Sequence, residues 1–396
     1  MDYKITDKVT WVGKIDWELR MFHGNELSTK KGSSYNSYLI RDQKNVLIDT
    51  SWLPYDKEYV SNLKKEIDLK EIDYIIANHA EIDHSGALKE LMREIPDTPI
   101  YCTANGVKSI KGHHHEDWNF VTVKTGDTLD IGENKLIFIE ARMLHWPDTM
   151  FTYMTGENIL FSNDGFGQHY ASENFYNDLV DQEELYHEAL KYYVNILNPF
   201  NAIVKKKIEE ILSFNLPVDI ICPSHGVIWR DNPAQIIEQY MKWADNYVEN
   251  QITLVYDTMW NGTRRMAETI AKGIKSVDDD VTVKLLNTAK TDKNDIMVEV
   301  FKSKAILVGS STINKGILVS MAGNIEMIKG LQFKNKKAAA FGSYGWSGES
   351  VKLLTKEMEE SGFEIVDEGI RALWNPDEDA LKQCYEYGVN FAKKVK

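Results

Sequence analysis

The amino-acid sequence predicts two α/β units in series, an α/β sandwich over residues 1–249 and a doubly wound parallel sheet over residues 250–396. Three observations predict this fold class. The first half consists of short apolar runs separated by loops rich in His, Asp and Gly. After an amphipathic run that ends near residue 249, strand and helix patterns alternate at regular spacing. In both halves, reactive or metal-binding side chains follow the apolar runs, where open α/β sheets build their sites.

The first half contains apolar runs of strand length together with two helical patterns. The predicted strands are residues 45–49, 74–77, 135–140, 158–161 and 218–222. The predicted helices are residues 55–67 and 182–198. Strands interleaved with helices are typical of an α/β sandwich, although the order of the strands within a sheet cannot be read from these patterns.

The second half repeats a strand and a helix in turn. Its predicted strands are the runs ITLVY, VTVKLL, KAILVGS, KKAAAFGS and EIVDEGIR. Its helices include residues 264–274 and 350–361, and in the latter Val351, Leu354 and Met358 share one face. This alternation predicts a five-stranded parallel sheet with helices on both faces.

The composition is that of an ordinary globular protein and disfavours several function classes. The chain has 396 residues, of which 43% are hydrophobic, and a net charge of −14, which disfavours binding to nucleic acid or anionic lipid. No apolar run reaches the roughly 18 residues that a membrane-spanning helix needs. The N-terminus also lacks the basic start and apolar stretch of a signal peptide, so we expect a cytoplasmic protein. Cys102, Cys222 and Cys384 form no CxxC pair, which argues against a disulfide framework and against cysteine-ligated zinc or iron–sulfur sites.

Seven side chains that could bind metal follow predicted strands: His79, Glu81, Asp83, His84, His145, Asp164 and His225. Four of them lie in the single stretch NHAEIDHSG, which alone could be a solvated polar turn. Because the carboxyl ends of strands meet at one edge of an open α/β sheet, the seven could converge. Seven ligands are too many for one ion with an open position, so the sequence predicts two metals that share a carboxylate, with Asp164 as the expected bridge.

The other histidines have different interpretations. The stretch GHHHEDW, with His113, His114 and His115, is predicted to be a solvated loop rather than a ligand set. His23 and His169 are either structural histidines or partners of the metal ligands near the reacting centre.

Three loops at one predicted sheet edge are suited to a flavin nucleotide. Their residues are Thr258, Met259, Trp260, Asn261, Gly262 and Thr263, then Ser310, Ser311, Thr312, Ile313 and Asn314, and finally Ser343, Tyr344, Gly345, Trp346, Ser347 and Gly348. The first loop opens a helix, where N–H and hydroxyl groups bind phosphate, and it is neither a nucleoside-triphosphate nor a dinucleotide fingerprint. Small residues admit a ring and aromatic side chains flank it. The sequence therefore predicts FMN, although three ordinary helix caps remain the alternative.

The predicted flavin bears on the identity of the metals. A flavin carries electrons and zinc cannot accept them, so a flavin unit joined to a two-metal site favours redox-active iron. Glu81 adds a hard oxygen ligand, which also suits iron better than zinc.

The motifs together resemble the flavodiiron proteins, or A-type flavoproteins, over essentially the whole chain. In order they are HAEIDH, LHWPD, SND, SHG, DTMWNGT, GSSTIN and FGSYGWSG. The resemblance implies a metallo-β-lactamase-like αββα sandwich followed by a flavodoxin-like domain. It also implies reduction of O2 to water, or of NO to N2O, at a non-haem diiron centre that receives electrons through FMN. The motifs do not resolve the preference between the two gases.

The resemblance also implies roles for individual residues. One iron would take His79, Glu81 and His145, and the other Asp83, His84 and His225, with Asp164 bridging them. His23 and either Tyr192 or its neighbour Tyr193 would lie near the substrate pocket.

The expected partners follow from the same resemblance. Family members form head-to-tail homodimers, alone or as dimers of dimers, in which the FMN of one subunit meets the diiron site of the other. The chain ends at Lys396 without paired cysteines, so we expect a separate electron donor, either rubredoxin or reduced coenzyme F420. The alternative to this whole interpretation is a dizinc β-lactamase-like hydrolase with a regulatory flavodoxin module.

Overall fold

The computed structural model of the chain describes residues 3–396 and divides them into two compact units. The first unit comprises the residues up to Tyr193 together with Phe200–Ala244. The second comprises Val194–Pro199 and Asp245–Lys396. The second unit therefore includes residues 194–199 and 245–249, eleven residues within the range predicted for the first unit. Among residues 3–396, no helix has both the length and the apolar character that crossing a bilayer requires.

The first unit is built from fifteen strands and seven α-helices within the described residues. The strands are β1 (Val9–Trp11), β2 (Lys14–Asp16), β3 (Met21–Phe22), β4 (Leu27–Ser28), β5 (Ser33–Tyr35), β6 (Tyr38–Arg41), β7 (Asn45–Ile48), β8 (Ile72–Ile76), β9 (Ile100–Cys102), β10 (Phe120–Thr122), β11 (Thr128–Asp130), β12 (Lys135–Glu140), β13 (Met150–Met154), β14 (Ile159–Asn163) and β15 (Ile220–Pro223). The helices are α1 (Asp56–Glu66), α2 (Ile82–Ser85), α3 (Leu88–Glu94), α4 (Ala104–His114), α5 (Gln182–Tyr192), α6 (Asn201–Ser213) and α7 (Ala234–Ala244).

Two mixed sheets form the centre of this unit. Their strand orders are β1-β6-β7-β8-β9-β10 and β11-β12-β13-β14-β15. Apolar side chains from both sheets, such as Ile48 and Ile76 from the first and Phe138 and Phe161 from the second, share one buried core. Helices α1, α3 and α4 pack on the outer face of the first sheet, while side chains of α6 and α7 lie over the second. The predicted αββα sandwich is therefore confirmed.

The parallel strands determine where functional groups can meet. Strand β8 runs parallel to β7 and β9, and β14 runs parallel to β15. The carboxyl ends of neighbouring parallel strands lie at the same edge of their sheet. The segments that leave β8, β14 and β15 are those that carry His79, Asp164 and His225.

The second unit is a parallel sheet with helices on both faces. Its strands are β16 (Glu249–Tyr256), β17 (Thr282–Asn287), β18 (Ser303–Gly309), β19 (Lys337–Tyr344), β20 (Glu364–Ile365) and β21 (Ile370–Leu373). Its helices are α8 (Gly262–Lys275), α9 (Lys293–Lys302), α10 (Val319–Leu331), α11 (Glu349–Glu360) and α12 (Glu378–Lys394). The strand order is β17-β16-β18-β19-β20, with β21 also beside β19, and the pairings are parallel. The flavodoxin-like sheet is thus confirmed.

Two predicted elements are interrupted in the structure. The run EIVDEGIR was predicted as one strand, but it forms the two short strands β20 and β21. Between them Gly369 adopts φ +93° and donates its N–H to the Asp367 side chain, which turns the chain. The helix predicted over residues 182–198 is α-helical only to Tyr192 and continues as a π-turn over Tyr193–Leu197. A 3₁₀ turn over Asn198–Phe200 follows, and Pro199 within it cannot donate the N–H that a longer helix needs.

The prediction of a solvated loop at His113–His115 was wrong. These residues end helix α4, and His115 takes the left-handed conformation of a helix C-cap. His114 is buried, with its Nε2 3.0 Å from the hydroxyl of Ser85. Burial and the neighbouring His113 lower the pKa of His114 to about 4. The helical spacing of this stretch was masked by its polar composition.

Lys336 is a buried lysine just before β19, and it generates a prediction about stability and pH. Its Nζ donates to the carbonyl oxygens of Phe301 and Ser303, each at 2.7 Å, and burial lowers its pKa to about 7. At pH values between 7 and the ordinary pKa of lysine, the unfolded chain binds the proton of Lys336 more tightly than the folded chain does. The stability that wild type has relative to Lys336→Met should therefore rise as pH rises from 7 towards 10, by about 1.4 kcal/mol per pH unit.

Urea unfolding of the full chain at several pH values measures this difference. The exposed neighbour Lys334 provides the control, because Lys334→Met should show a constant difference over the same range. A constant difference for Lys336→Met would contradict the prediction.

Candidate metal centre and nucleotide pocket

Six buried side chains form two adjacent groups at the edge of the first unit's sheets. One group contains His79, His145 and Asp164, and the other contains Asp83, His84 and His225. Within each group the candidate ligand atoms all lie within 4.8 Å of one another. The structure therefore brings together residues that are widely separated in the sequence, as the motif analysis predicted they could be.

The Asp164 carboxylate lies between the two groups. Its Oδ2 is 3.7 Å from Nε2 of His79 and 3.4 Å from Nε2 of His145. Its Oδ1 is 3.1 Å from Nε2 of His84 and 3.5 Å from Nε2 of His225. Each oxygen thus faces one group, which is the arrangement that a bridging carboxylate requires.

Glu81 adds a carboxylate to the first group, and Asp83 is the carboxylate of the second. The Oε2 of Glu81 is 3.5 Å from Nε2 of His79 and 3.3 Å from Nε2 of His145. The Oδ2 of Asp83 is 3.2 Å from Nε2 of His84 and 3.1 Å from Nε2 of His225. Glu81 therefore accompanies the His79 group, although sequence spacing would place it equally near His84.

The short helix α2 explains how one stretch serves both groups. Glu81 is the N-cap residue of this helix, and Asp83 and His84 lie within it, so the backbone turns between Glu81 and the next ligands. The carbonyl oxygen of His84 accepts hydrogen bonds from the N–H and the hydroxyl of Thr50, at 2.8 and 2.6 Å. This fixes the helix against the end of β7.

Two of the histidines are oriented by partners that sequence reasoning did not identify. Nδ1 of His79 is 2.8 Å from Oδ2 of Asp148, and Nδ1 of His225 is 2.7 Å from the carbonyl oxygen of Ser34. An Nδ1–H that donates to these acceptors leaves Nε2 free to bind a metal. The aspartate of the motif LHWPD is a signal that could have identified Asp148, whereas a backbone carbonyl has no sequence signature.

Another carboxylate, that of Asp49, fixes the strand ends that precede the candidate ligands. It is buried, and its oxygens accept from the N–H of Asn78 at 2.7 Å and from the side-chain amides of Asn78 and Asn163 at 3.3 and 3.2 Å. Asn78 directly precedes His79, and Asn163 directly precedes Asp164. Asp49 therefore fixes the backbone on the N-terminal side of one ligand from each sheet.

The unsatisfied atoms of the cluster fit metal ions. Among residues 3–396, Nε2 of His79, Oδ1 of Asp83, both ring nitrogens of His84 and Oδ2 of Asp164 have no hydrogen-bond partner. Unpaired buried polar atoms are costly, and cations at the two groups would satisfy most of them. A donor set of imidazoles and carboxylates suits iron, so the residues present fit a non-haem diiron site.

The carboxylates of the cluster raise the pKa of two of its histidines. Burial disfavours a charged His84, but Asp83 and Asp164 outweigh it and raise the pKa of His84 to about 9. Burial is likewise outweighed at His79, where the carboxylates of Asp148 and Glu81 hold the pKa well above its ordinary value. Metal binding must displace these protons, so it is linked to proton release.

The structure distinguishes Tyr192 from Tyr193. The hydroxyl of Tyr192 donates to Oδ1 of Asp164 at 3.1 Å, whereas that of Tyr193 donates to the Asn201 side chain at 2.5 Å. Burial and the charge of Asp164 raise the pKa of Tyr192 well above its ordinary value. Of the two tyrosines, only Tyr192 has its hydroxyl at the metal cluster.

His23 and His169 both lie beside the cluster. Nε2 of His23 is 3.0 Å from Oε1 of Glu81, and 36% of its side chain is exposed. His169 is buried, with its Nδ1 2.7 Å from the Ser33 hydroxyl and its ring 4.9 Å from that of His225. Burial and the nearby histidines hold the pKa of His169 well below its ordinary value. Its Nε2 has no hydrogen-bond partner within the described chain.

The second unit contains a cavity of about 450 Å³ at the carboxyl edge of its sheet. Its lining residues are Met259, Trp260, Gly262, Ser311, Thr312, Ser343, Tyr344, Gly345, Trp346, Trp374 and Asn375. Nine of these belong to the three predicted loops. The other predicted residues flank the lining rather than form it: Thr258, Asn261, Thr263, Ser310, Ile313, Asn314, Ser347 and Gly348. Sequence reasoning missed Trp374 and Asn375, whose aromatic and amide side chains after the last predicted strand were the available signal.

Hydroxyl groups draw the three loops together. Oγ1 of Thr263 is 3.0 Å from Oγ of Ser311 and 2.9 Å from Oγ of Ser343. Close packing favours glycine at Gly345, where an added Cβ would come 2.6 Å from the ring of Trp374, and at Gly262 an added Cβ would come 3.1 Å from Oγ of Ser343. The floor of the cavity is therefore small and polar.

The cavity fits FMN on two observations. The hydroxyl of Thr258 is buried and has no hydrogen-bond partner in the part of the chain that the structure describes, and it lies in the loop before the N-terminus of α8, which suits a phosphate. Trp260 and Trp346 are each 88% exposed, and such aromatic faces suit a flat ring. These features match a phosphate-bearing flavin.

Comparison with known proteins matches both units and the whole chain. The family described as ODP family beta lactamase matches residues 34–226, and the flavodoxin family matches residues 254–388. Anaerobic nitric oxide reductase flavorubredoxins from Salmonella typhi and Escherichia coli K12 are 57% identical over 396 residues, which is all of this chain and 82% of theirs.

Solved structures show the same similarity. Rubredoxin oxygen:oxidoreductase from Desulfovibrio gigas has a TM-score of 0.95 at 36% identity, with 99% of this chain and 98% of that chain covered. The flavodiiron protein from Giardia intestinalis has a TM-score of 0.94 at 34% identity, with 100% and 97% covered.

The hydrogen bond between His79 and Asp148 generates a prediction for metal binding. Asp148→Asn removes the negative charge that orients His79, so we expect the affinity for the metal at the His79 group to fall by about 10- to 100-fold. Iron titration of the apoprotein measures the change. Asp130→Asn, at an exposed aspartate, is the control and should bind iron as wild type does. Two irons bound at wild-type affinity in Asp148→Asn would show that His79 needs no such partner.

The buried hydroxyl of Thr258 generates a prediction for the nucleotide. Thr258→Val keeps the shape but removes the donor, so we expect FMN to bind about 5- to 30-fold more weakly, while the iron content stays unchanged. Fluorescence titration of the apoprotein with FMN measures the affinity. The exposed Thr282 gives the control variant Thr282→Val. Equal FMN affinity in the two variants would show that the Thr258 hydroxyl does not bind the phosphate.

Proposed function

The chain belongs to the flavodiiron proteins, and on that premise we propose that its preferred substrate is nitric oxide, which it reduces to N2O at a diiron centre fed with electrons by FMN. Reduction of O2 to water is the second activity of the same site. The preference for nitric oxide rests on relatives named as nitric oxide reductases at 57% identity, compared with 36% for the relative named as an oxygen oxidoreductase. A dizinc hydrolase is not favoured, because these relatives are oxidoreductases.

The position of Asp164 is the observation that carries this proposal. Its two oxygens face two separate groups of imidazoles and carboxylates. We therefore propose His79, Glu81 and His145 as ligands of one iron and Asp83, His84 and His225 as ligands of the other. A pair of ions that shares one carboxylate can hold two small molecules side by side.

The iron ions and the flavin supply the electrons, and the chain must supply protons and exclude water. Joining two NO molecules into N2O and water consumes two protons as well as two electrons. The hydroxyl of Tyr192 donates a hydrogen bond to Asp164, and its raised pKa keeps it protonated. Tyr192 is therefore placed to hold a polar group beside the carboxylate that would bridge the two ions. His23 contacts Glu81 and is partly exposed, so it connects the cluster with solvent protons.

We also propose the electron donor and the assembly. Rubredoxin is the donor that the names of both kinds of relative suggest, and the matched flavorubredoxins extend beyond the region they share with this chain. A head-to-tail homodimer, as the family resemblance implies, would bring the nucleotide pocket of one subunit to the metal centre of another.

The test is gas consumption by anaerobically prepared protein loaded with FMN and iron and supplied with reduced rubredoxin. At matched concentrations we expect NO to be consumed faster than O2, with N2O formed. Asp164→Ala should lose iron, keep FMN and consume NO at least about 100-fold more slowly. Tyr193→Phe, which alters a hydroxyl away from the cluster, is the control. Faster consumption of O2 would overturn the preference, and rapid flavin reduction with neither gas consumed would overturn the proposed function.

A further inference from the structure

An apolar cavity of about 50 Å³ lies in the first unit, apart from the metal cluster. It lies between the outer face of the second sheet, at Leu160, and helices α6 and α7, at Ile208 and Ile237. Its remaining walls include Leu212, which is half exposed, and Phe166, which is buried. The cavity therefore extends from near the surface to a buried aromatic ring.

The lining makes the cavity unsuitable for water. Its polar side-chain atom, within the described chain, is the hydroxyl of Tyr153, which donates to the carbonyl oxygen of Pro217 at 2.7 Å and lies 3.0 Å from Oδ1 of Asn158. A buried water needs two to four polar partners, and the cavity offers it none that is unengaged. Apolar cavities accept small apolar molecules, and one of about 150 Å³ takes benzene or xenon. A third of that volume suits a diatomic molecule or a single xenon atom.

The inner wall of the cavity adjoins the bridging ligand. Phe166 follows Asp164 by two residues, and the residue between them is Gly165. The Phe166 ring packs against those of Phe151 and Tyr240, with centroids 6.2 and 4.8 Å apart. An added Cβ on Gly165 would come 2.7 Å from the Phe151 ring, so the loop of Asp164 lies directly against this aromatic wall.

The backbone of Phe166 adopts an unfavourable conformation that hydrogen bonds from neighbouring residues stabilise. Its φ is +67°, a left-handed conformation that is unfavourable for a bulky residue. Its N–H donates to the hydroxyl of Tyr240 at 3.0 Å, and its carbonyl oxygen accepts from Nε1 of Trp229 at 2.9 Å. Both main-chain groups are thus fixed, and the ring is held in the wall of the cavity.

We propose that this cavity is a binding site for the diatomic gas on its way from the surface near Leu212 to the metal centre, with Phe166 as the inner wall. The inference rests on the proposed function, because it requires a small apolar gas as substrate. Such gases leave water for apolar surroundings readily. The cavity raises the local concentration of gas at the Phe166 wall, two residues along the chain from Asp164.

Xenon binding tests the cavity without turnover. Crystals of the FMN- and iron-loaded protein are exposed to xenon under pressure, and we expect a xenon atom bounded by Leu160, Ile208 and Ile237. Its absence there would overturn the inference and leave the proposed function standing. If wild type consumed neither gas, the proposed function would fail whatever the xenon result.

Filling the cavity tests its part in gas delivery. Ile237→Phe should exclude xenon and lower kcat/KM for NO about three- to tenfold while kcat and the iron and FMN contents stay unchanged. Ile237→Leu conserves volume at the same position and should behave as wild type. If Ile237→Phe folds poorly, Ile208→Phe fills the cavity from the other helix. A filled cavity with wild-type kcat/KM would place the gas route elsewhere and overturn the inference.

Discussion

The metal-binding unit depends on one constraint, the holding of the Asp164 carboxylate among four imidazoles away from water. Burial of so many polar groups is tolerable only if each is paired or fixed by a hydrogen bond. The chain meets this requirement with hydrogen-bonding groups that surround the cluster. Asp148 and the Ser34 carbonyl orient imidazoles, and Asp49 fixes the residues that precede His79 and Asp164. The raised pKa values of His79 and His84 reflect the carboxylates around them, and cations at the two groups would offset the same negative charge.

The second unit solves a different problem with neutral groups. The hydroxyls of Thr263, Ser311 and Ser343 hold three loops together without introducing charge. The residues that line the cavity are neutral, while the N-terminus of α8 favours an anion nearby. The two units thus differ in their electrostatics: the first concentrates carboxylates and imidazoles at its candidate metal centre, and the second lines its nucleotide cavity with neutral side chains.

The sequence predicted much of this because the ligands and loops follow directly from local patterns. Each candidate metal ligand lies close after a strand, and parallel strands bring such positions together. The residues that escaped prediction depend on tertiary register. Asp148 acts on His79 across 69 residues, and Trp374 reaches the nucleotide cavity only because β21 returns beside β19. The choice of Tyr192 over Tyr193 depends on which face of α5 meets the cluster, and adjacent aromatic residues leave that face ambiguous in the sequence.

The short segment Val194–Pro199 has a consequence for where the second unit could be separated from the first. It packs with the second unit, where the Asn198 side chain donates to the carbonyl oxygen of Leu331 at 2.6 Å and Asn195 exchanges hydrogen bonds with Asn294. A flavin module severed at the start of β16 would leave six residues of its own packing on the other fragment. A fragment that begins at β16 therefore lacks the hydrogen bonds of Asn195 and Asn198 with the rest of its unit, whereas a second copy of this unit can regain them only if these residues are supplied with it.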